Sequence, residues 1–519
     1  MKAASACLQC RESKRKCSRP APGEPCHSCH QRKLQCDGRL QPRLVANEAP
    51  AAVAAALPID NLPWETTLEL VEIYLDKVHD RPHSIFHPAT LWTQLRNGSV
   101  SGALICAICA IGAKFSCRSN RRNLELHLTT EAKRLLKADL ENACLENIQT
   151  CILLSTLSAG NCETSSEALY IRIATSMAEI IHLQTYTLRG PIIARETARR
   201  IWWSLYMADR WCFSGLGLPR HMDDLGGSLQ LPLDELTFRS LPSDQETFNV
   251  PWKPGLWAHM VTLVRLFGPI QDLNRRAAKA EIDTAELDQA VVSLGQQLEM
   301  WSGMLPVDIQ FTIQNLHGHQ HNRLGGPFVT LHLAYHHYST LLYFRFLEDK
   351  QASLSTTYGT YVARCKHHAS SFSSLLHLSR QLKGCEASYA IIGHMTAVSS
   401  SVLLHTMLFG NPEELPQAKR ELSTNFEALI ELQQYWPATS AMINRLMAFQ
   451  DICLLSSTEP HKLDGWMVRF LLEHSLALEK RELPFGPLNG EILEAESMSS
   501  RVKAWMELGR YTSFENFLT

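Results

Sequence analysis

From Trp64 to about residue 510, apolar side chains recur at the i, i+3/i+4 spacing of helices packed on a core. Leu68, Val71, Ile73, Tyr74, Leu75 and Val78 predict one amphipathic face. Residues 100–117 read as a nearly all-apolar helix. The same spacing predicts helices over 122–141, 146–159, 163–183, 194–214, 255–278 and 283–303, then over 328–349, 358–382, 386–409, 413–435 and 438–457. Strand-like alternation bounded by turns is scarce, and no short-period repeat is visible. The expectation is a large all-α domain. The apolar run at 100–117 ends at Lys114 and is too short to span a bilayer, so no transmembrane segment is predicted.

Outside the helical stretch the pattern changes. Pro42, Pro50, Pro58 and an alanine-rich run at 51–56 predict a flexible linker over 40–60. No apolar heptad lasts two turns of the repeat there, so a homodimer through a coiled coil is not expected and any dimer must come from the helical body. At the other end, Pro487 and Gly490 set apart a segment in which Glu491, Glu494 and Glu496 precede Trp505, Met506 and Leu508. It reads either as a last docked helix or as an acidic–aromatic tail that recruits coactivators.

Charge is distributed unevenly. The chain of 519 residues has a net charge of −2, yet residues 1–44 carry ten lysines and arginines against three acids. Only that end is built to meet phosphate. It also holds a cysteine pattern written twice: Cys7, Cys10 and Cys17, then Cys26, Cys29 and Cys36, each a CxxC followed by a cysteine seven positions on. Such spacing suits thiolate coordination of zinc. Two tetrahedral zinc ions need eight sulfur contacts, and six thiolates supply eight when two of them bridge. Between the ligands lie Arg11, Lys14, Arg15 and Lys16 in the first repeat and Arg32 and Lys33 in the second. A short cationic helix pinned by metal matches the DNA backbone in charge and the major groove in shape.

With these residues in view, the N-terminal segment resembles the Zn(2)-C6 binuclear cluster of fungal transcription factors, including Pro20 and Pro22 in its loop. The departure is Ser13, where that family often has a further basic residue. The resemblance implies two zinc ions, bridging roles for Cys7 and Cys26, and base reading by Lys14 at a CGG triplet. Two later passages resemble the fungal-specific transcription factor domain, the middle homology region. They are Tyr74 to Pro88, and Arg199 to Arg210 ending at Gly217-Leu218-Pro219, where relatives commonly carry arginine in place of Leu218. In the second passage Trp202, Trp203 and Tyr206 read as core, with Arg200, Asp209 and Arg210 as an internal ion-pair lattice; direct ligand contact is the other reading.

The expected order is a small binuclear zinc cluster module of two short metal-linked helices (1–39), the linker (40–60), an all-α regulatory domain (61–460) and a C-terminal segment (461–519). The expected function is zinc-dependent, sequence-specific recognition of double-stranded DNA at RNA polymerase II promoters in the nucleus, with coactivators and a small-molecule effector as further candidate partners. A zinc-knuckle scaffold without specific DNA binding is the alternative. A disulfide framework would need a secreted protein, and Met1-Lys2-Ala3 leads into the cysteines without a signal peptide.

Enzyme readings find little. No phosphate-binding loop, nucleophile elbow or dinucleotide fingerprint is present. His317, His319 and His321 precede Gly325-Gly326-Pro327 and read as an exposed loop. His332 and His336 lack the glutamate of an H-E-x-x-H pair and, with His337, read as helix packing. Cys106 and Cys109 sit in an apolar run and read as core. The remaining cysteines read as buried thiols of an intracellular protein.

Overall fold

The computed structural model describes residues 10, 16–18, 26–33, 62–81, 83–186, 190–222, 229–242, 251–348, 356–455 and 463–479. The chain divides into two compact units, Met1–Ala55 and Ala56–Thr519. The linker of 40–60 and the acidic–aromatic segment beyond 479 lie outside the described residues. In the first unit, helix α1 spans His27–Gln31.

The described residues of the second unit are mainly helical. Among the described residues its only strand-like pairing is one antiparallel bridge, Leu233 with Pro254. The helices of its first half are α2 (Trp64–Lys77), α3 (Pro88–Arg96), α4 (Gly102–Phe115), α5 (Arg121–Ala138), α6 (Leu145–Gly160), α7 (Thr164–Ile180), α8 (Leu183–Tyr186), α9 (Ile192–Gly215) and α10 (Glu235–Ser240). The second half contains α11 (Leu256–Ala278), α12 (Thr284–Gly303), α13 (Ile313–His321), α14 (Gly325–Tyr343), α15 (Thr356–Gln381), α16 (Ile391–Phe409), α17 (Leu415–Gln433), α18 (Thr439–Leu455) and α19 (Gly465–Leu471).

Caps explain several of the boundaries. Ser101, Asp234, Asp283, Thr312 and Asp464 each accept from the backbone N–H three residues on, satisfying a donor that the first turn would otherwise orphan. Helix α4 is buried along almost its whole length and packs against α2, α5 and α6. Gly112 is what allows α2 so close: a Cβ there would overlap the carbonyl of Leu70. The α2 face is set by Thr67, Leu70, Val71, Tyr74 and Val78, whereas Leu68, Ile73 and Leu75 stay half-buried, a shift of the stripe from that read in the sequence. Helix α16 is apolar and long enough to cross a membrane by length and composition, but it is almost wholly buried between α15, α17 and α18. The core continues to α19, whose Phe470 stacks on Phe449 at 5.0 Å.

Two local expectations change. His317, His319 and His321 lie on α13, not in a loop. The glycines after them open α14, where Pro327 occupies the first turn and needs no backbone donor. Of the scattered cysteines, Cys106, Cys109, Cys151, Cys212, Cys365, Cys385 and Cys453 are buried, but Cys144 is half-buried and Cys117 and Cys162 are exposed.

Candidate metal and nucleic-acid site

The described residues of the first unit gather around sulfur. The Sγ atoms of Cys10, Cys17 and Cys26 all lie within 4.8 Å of one another. Cys10 and Cys26 come to 3.5 Å. A tetrahedral zinc with Zn–S bonds of about 2.3 Å holds its thiolates roughly 3.8 Å apart, so this set fits such an ion in both spacing and softness. Cys26 belongs to the second repeat by sequence but sits with two cysteines of the first. The same Sγ caps α1, accepting from the Cys29 N–H at 3.4 Å. Cys10, Cys26 and Cys29 are each at most 1% exposed and form, with the partly buried Cys17, the apolar cluster of this unit's described residues. The two repeats are tied by backbone as well, since the His27 N–H donates to the Ser18 carbonyl at 3.0 Å.

The described cations are at the surface. Lys16, Arg32 and Lys33 are all exposed. Helix α1 stops at Gln31, and Lys33 turns out of it with φ of 52° in the left-handed region. Lys33 therefore follows the second helix and does not ride on it. Cys7, Cys36, Arg11, Lys14 and Arg15 lie outside the described residues.

In the second unit, the two passages singled out in the sequence meet. Arg200 of α9 is fully buried. Its guanidinium binds Glu196 at 3.1 Å, the Leu233 carbonyl at 2.6 Å and the hydroxyl of Ser84, and lies 4.2 Å from the Phe238 ring centre. Glu196 also accepts from Arg199 and, at 2.8 Å, from the Leu233 N–H. One buried pair thus joins the Tyr74–Pro88 passage, α9 and the Leu233 loop. Asp209 makes a separate clamp: it pairs with Arg210 at 3.0 Å and accepts from the backbone N–H groups of His221 and Met222. Arg200 and Asp209 are therefore not one lattice, because nine residues along α9 place them two and a half turns apart. Sequence reading missed Glu196, which looks like an ordinary i, i+4 surface partner.

Asp80 completes this region. Burial opposes its ionisation, but His79 at 3.3 Å, Arg239 at 2.6 Å and Arg200 outweigh it and hold the carboxyl well below the usual range. These groups satisfy one another and fix helix packing. Nearby imidazoles behave similarly. His332 donates from Nε2 to the Ile309 carbonyl at 3.0 Å, and burial pushes it down to about 4. Burial raises the thiols of Cys106, to about 12, and of Cys109, beyond the range for nucleophilic work.

The described geometry assembles no nucleophile with a base and an orienting group. Residues 71–303 match the family model of the fungal specific transcription factor domain. The chain is 25% identical over 348 residues to an uncharacterized transcriptional regulatory protein of Schizosaccharomyces pombe, covering 59% of this chain and 34% of that one. It is 21% identical over 413 residues to the Zn(2)-C6 fungal-type transcription factor FTF1c of Fusarium oxysporum f. sp. lycopersici, covering 71% and 43%. A second regulatory protein of Schizosaccharomyces pombe is 22% identical over 422 residues, covering 65% and 60%. The chain thus spans from about a third to three-fifths of the length of these relatives. The matched domain and the relatives' names mark the chain as similar to fungal regulators of transcription.

Proposed function

We propose that this protein is a zinc-dependent, sequence-specific DNA-binding regulator acting in the nucleus at RNA polymerase II promoters, with a DNA-binding module at 1–39, a linker at 40–60 and a regulatory helical domain at 61–460. The observation that carries the reading is the convergence of the Cys10, Cys17 and Cys26 thiols beside exposed Lys16, Arg32 and Lys33. The names of the Zn(2)-C6 relatives add support.

Cys7, Cys10, Cys17, Cys26, Cys29 and Cys36 would hold two zinc ions. Bound zinc supplies the cross-link that a short chain without a core cannot supply itself. The position of Cys26 among first-repeat cysteines favours it as a shared ligand, with Cys7 as its counterpart. Arg11, Arg15, Lys16, Arg32 and Lys33 neutralise phosphates, which sets affinity and its salt dependence. Lys14 donates to guanine O6 and N7 in a CGG triplet, which sets sequence preference.

Cys26→Ser in the full chain tests this reading. It removes one thiolate while the serine hydroxyl can still cap α1, so zinc content and binding to a CGG duplex should both fall. Helix content by circular dichroism should hold, since among the described residues nearly all helix lies in the second unit. Unchanged zinc content and unchanged duplex affinity would overturn the assignment.

A further inference from the structure

The helical unit encloses a cavity of about 410 Å³ that no part of the DNA-binding account uses. That volume falls in the range of sites that bury a small organic molecule. Its walls come from α6, α7, α9, α16 and α18, closed by residues 474–477 after α19. Trp211, Tyr389, Ile391, Met442 and Leu476 make the lining largely apolar. One carboxyl stands in that wall, Glu167, and no lysine or arginine does.

Glu167 is 5% exposed. It meets the Ser475 hydroxyl at 3.5 Å and the Cys212 thiol, and among the described residues it forms no ion pair. Two guanidiniums stand behind the lining, Arg172 acting on Cys212 and Arg445 acting on His394 and His474. Arg172 lies 3.8 Å from the Phe213 ring centre and pairs distantly with Asp209 at 3.8 Å. Arg445 donates to the Leu476 and Arg469 carbonyls. The other titratable groups around the carboxyl are Cys162 at the end of α6, Cys212 and Asp209 on α9, His394 on α16 and His474 after α19.

The imidazoles of the lining provide no positive charge. Burial holds His83 down to about 4, and burial with Arg445 nearby does the same for His474. His394 is held well below its usual value by burial, His474 and His337. An anion entering the cavity would find no cation in the lining, because Arg172 and Arg445 stand behind it on Phe213 and backbone carbonyls, and the ionised Glu167 would repel it. A cation would find an unpaired acid and two aromatic rings, the arrangement that favours an organic ammonium. We propose that this cavity binds a small organic amine with an apolar body, its ammonium seated on Glu167. Because burial pushes the Glu167 carboxyl up to about 7, binding draws on its ionised form and must compete with a proton. This inference concerns the helical unit and stands whether or not the zinc module reads DNA.

Calorimetric titration of the full-length, zinc-loaded protein tests it. The probes are 2-phenylethylamine and tryptamine, their neutral counterparts 2-phenylethanol and tryptophol, and the anion 3-phenylpropionate. At pH 8 at least one amine should bind about tenfold or more tighter than its matching alcohol, and the anion should not bind. For a carboxyl titrating near 7, amine affinity should fall by about tenfold from pH 8 to pH 6, as the ionised fraction falls by about that factor. Glu167→Gln keeps the shape and should lose about tenfold in amine affinity while alcohol affinity stays constant. Failure of both amines to bind, equal binding of amine and alcohol, preference for the anion, or an unaltered Glu167→Gln would each overturn the proposal. If Glu167→Gln does not fold, the pH comparison on the unmodified protein decides alone.

Discussion

Arg200→Met should be among the most damaging single substitutions in the helical unit. Methionine keeps much of the arginine stem's volume, so the loss is chiefly polar. It strands the Ser84 hydroxyl and the Leu233 carbonyl and takes one of three partners from buried Glu196. Breaking one side of a buried pair costs about 3–5 kcal/mol, and each orphaned neutral group about 1–3 kcal/mol. Because Glu196 retains Arg199 and the Leu233 N–H, we expect the lower end of each range, about 3 kcal/mol for the pair and about 1 kcal/mol for each of the two orphaned groups, or roughly 5 kcal/mol in all. Urea unfolding of the full chain, followed by tryptophan fluorescence, gives the number, since Trp202 and Trp203 lie on the same helix. A cycle with Glu196→Leu sharpens the test. Removing the carboxylate alongside the guanidinium should recover about 1–2 kcal/mol relative to the sum of the single changes. A cost below about 1 kcal/mol, or strict additivity, would refute the claim that this pair holds the two passages together. A stable Arg200→Met with altered ligand response would favour the ligand-contact reading of α9.

Three further outcomes are expected. Metal analysis of the full chain should give about two zinc ions, since structural zinc supplies on the order of 10–16 kcal/mol to modules of this kind; one or none would contradict the shared-thiolate arrangement. Lys14→Ala should cost about 1–3 kcal/mol and flatten discrimination at one or two base pairs, whereas Arg15→Ala should weaken all duplexes alike and lower the salt slope by roughly one unit; identical behaviour on matched and mismatched duplexes would end that division of roles. Stability should also depend on pH with opposing signs. His83, His332, His405 and His474 fold with values near 4, below the unfolded 6.5, so stability is present above 6.5 and is lost as pH falls towards 4. Glu167 folds near 7, above its usual 4.5, so its contribution is present at low pH and is lost as pH rises from about 4.5 to 7. Glu167→Gln should accordingly stabilise the protein at pH 8, by up to about 3 kcal/mol, and have little effect at pH 4; equal effects at both pH values would count against the buried, unpaired carboxyl.

The helices were legible in the sequence because apolar periodicity survives wherever a helix has one solvent face. Helix α12, predicted at 283–303, spans Thr284–Gly303 with Asp283 as its cap. Legibility failed where burial is set by distant chain. The α2 stripe includes Thr67 because α4 approaches through Gly112, which local hydrophobicity cannot show. His319 precedes a Gly-Gly-Pro that looks like a turn, yet its ring stacks on Phe328 at 4.6 Å and its helix leads into α14. Glu167 follows Thr164-Ser165-Ser166 and reads locally as a first-turn acid suited to a helix N-terminus. Its burial depends on Ser475, 308 positions away. At the metal site the repeat itself carries the signal. Ligand spacing is nearly all that thiolate chemistry requires, whereas the turn of Lys33 out of α1 is a backbone detail that spacing does not encode.

The most direct measurement is a competition titration of the full-length protein with a labelled duplex bearing a CGG triplet, run against unlabelled matched and triplet-mutated duplexes at fixed salt, with zinc, with chelator, and with zinc restored. The account predicts that the matched duplex competes about tenfold or more better than the mutated one, since each wrong base pair costs about 1–3 kcal/mol. That preference should vanish with chelator and return with zinc. Binding that persists undiminished after chelation, or that treats matched and mutated duplexes alike with zinc present, would contradict it.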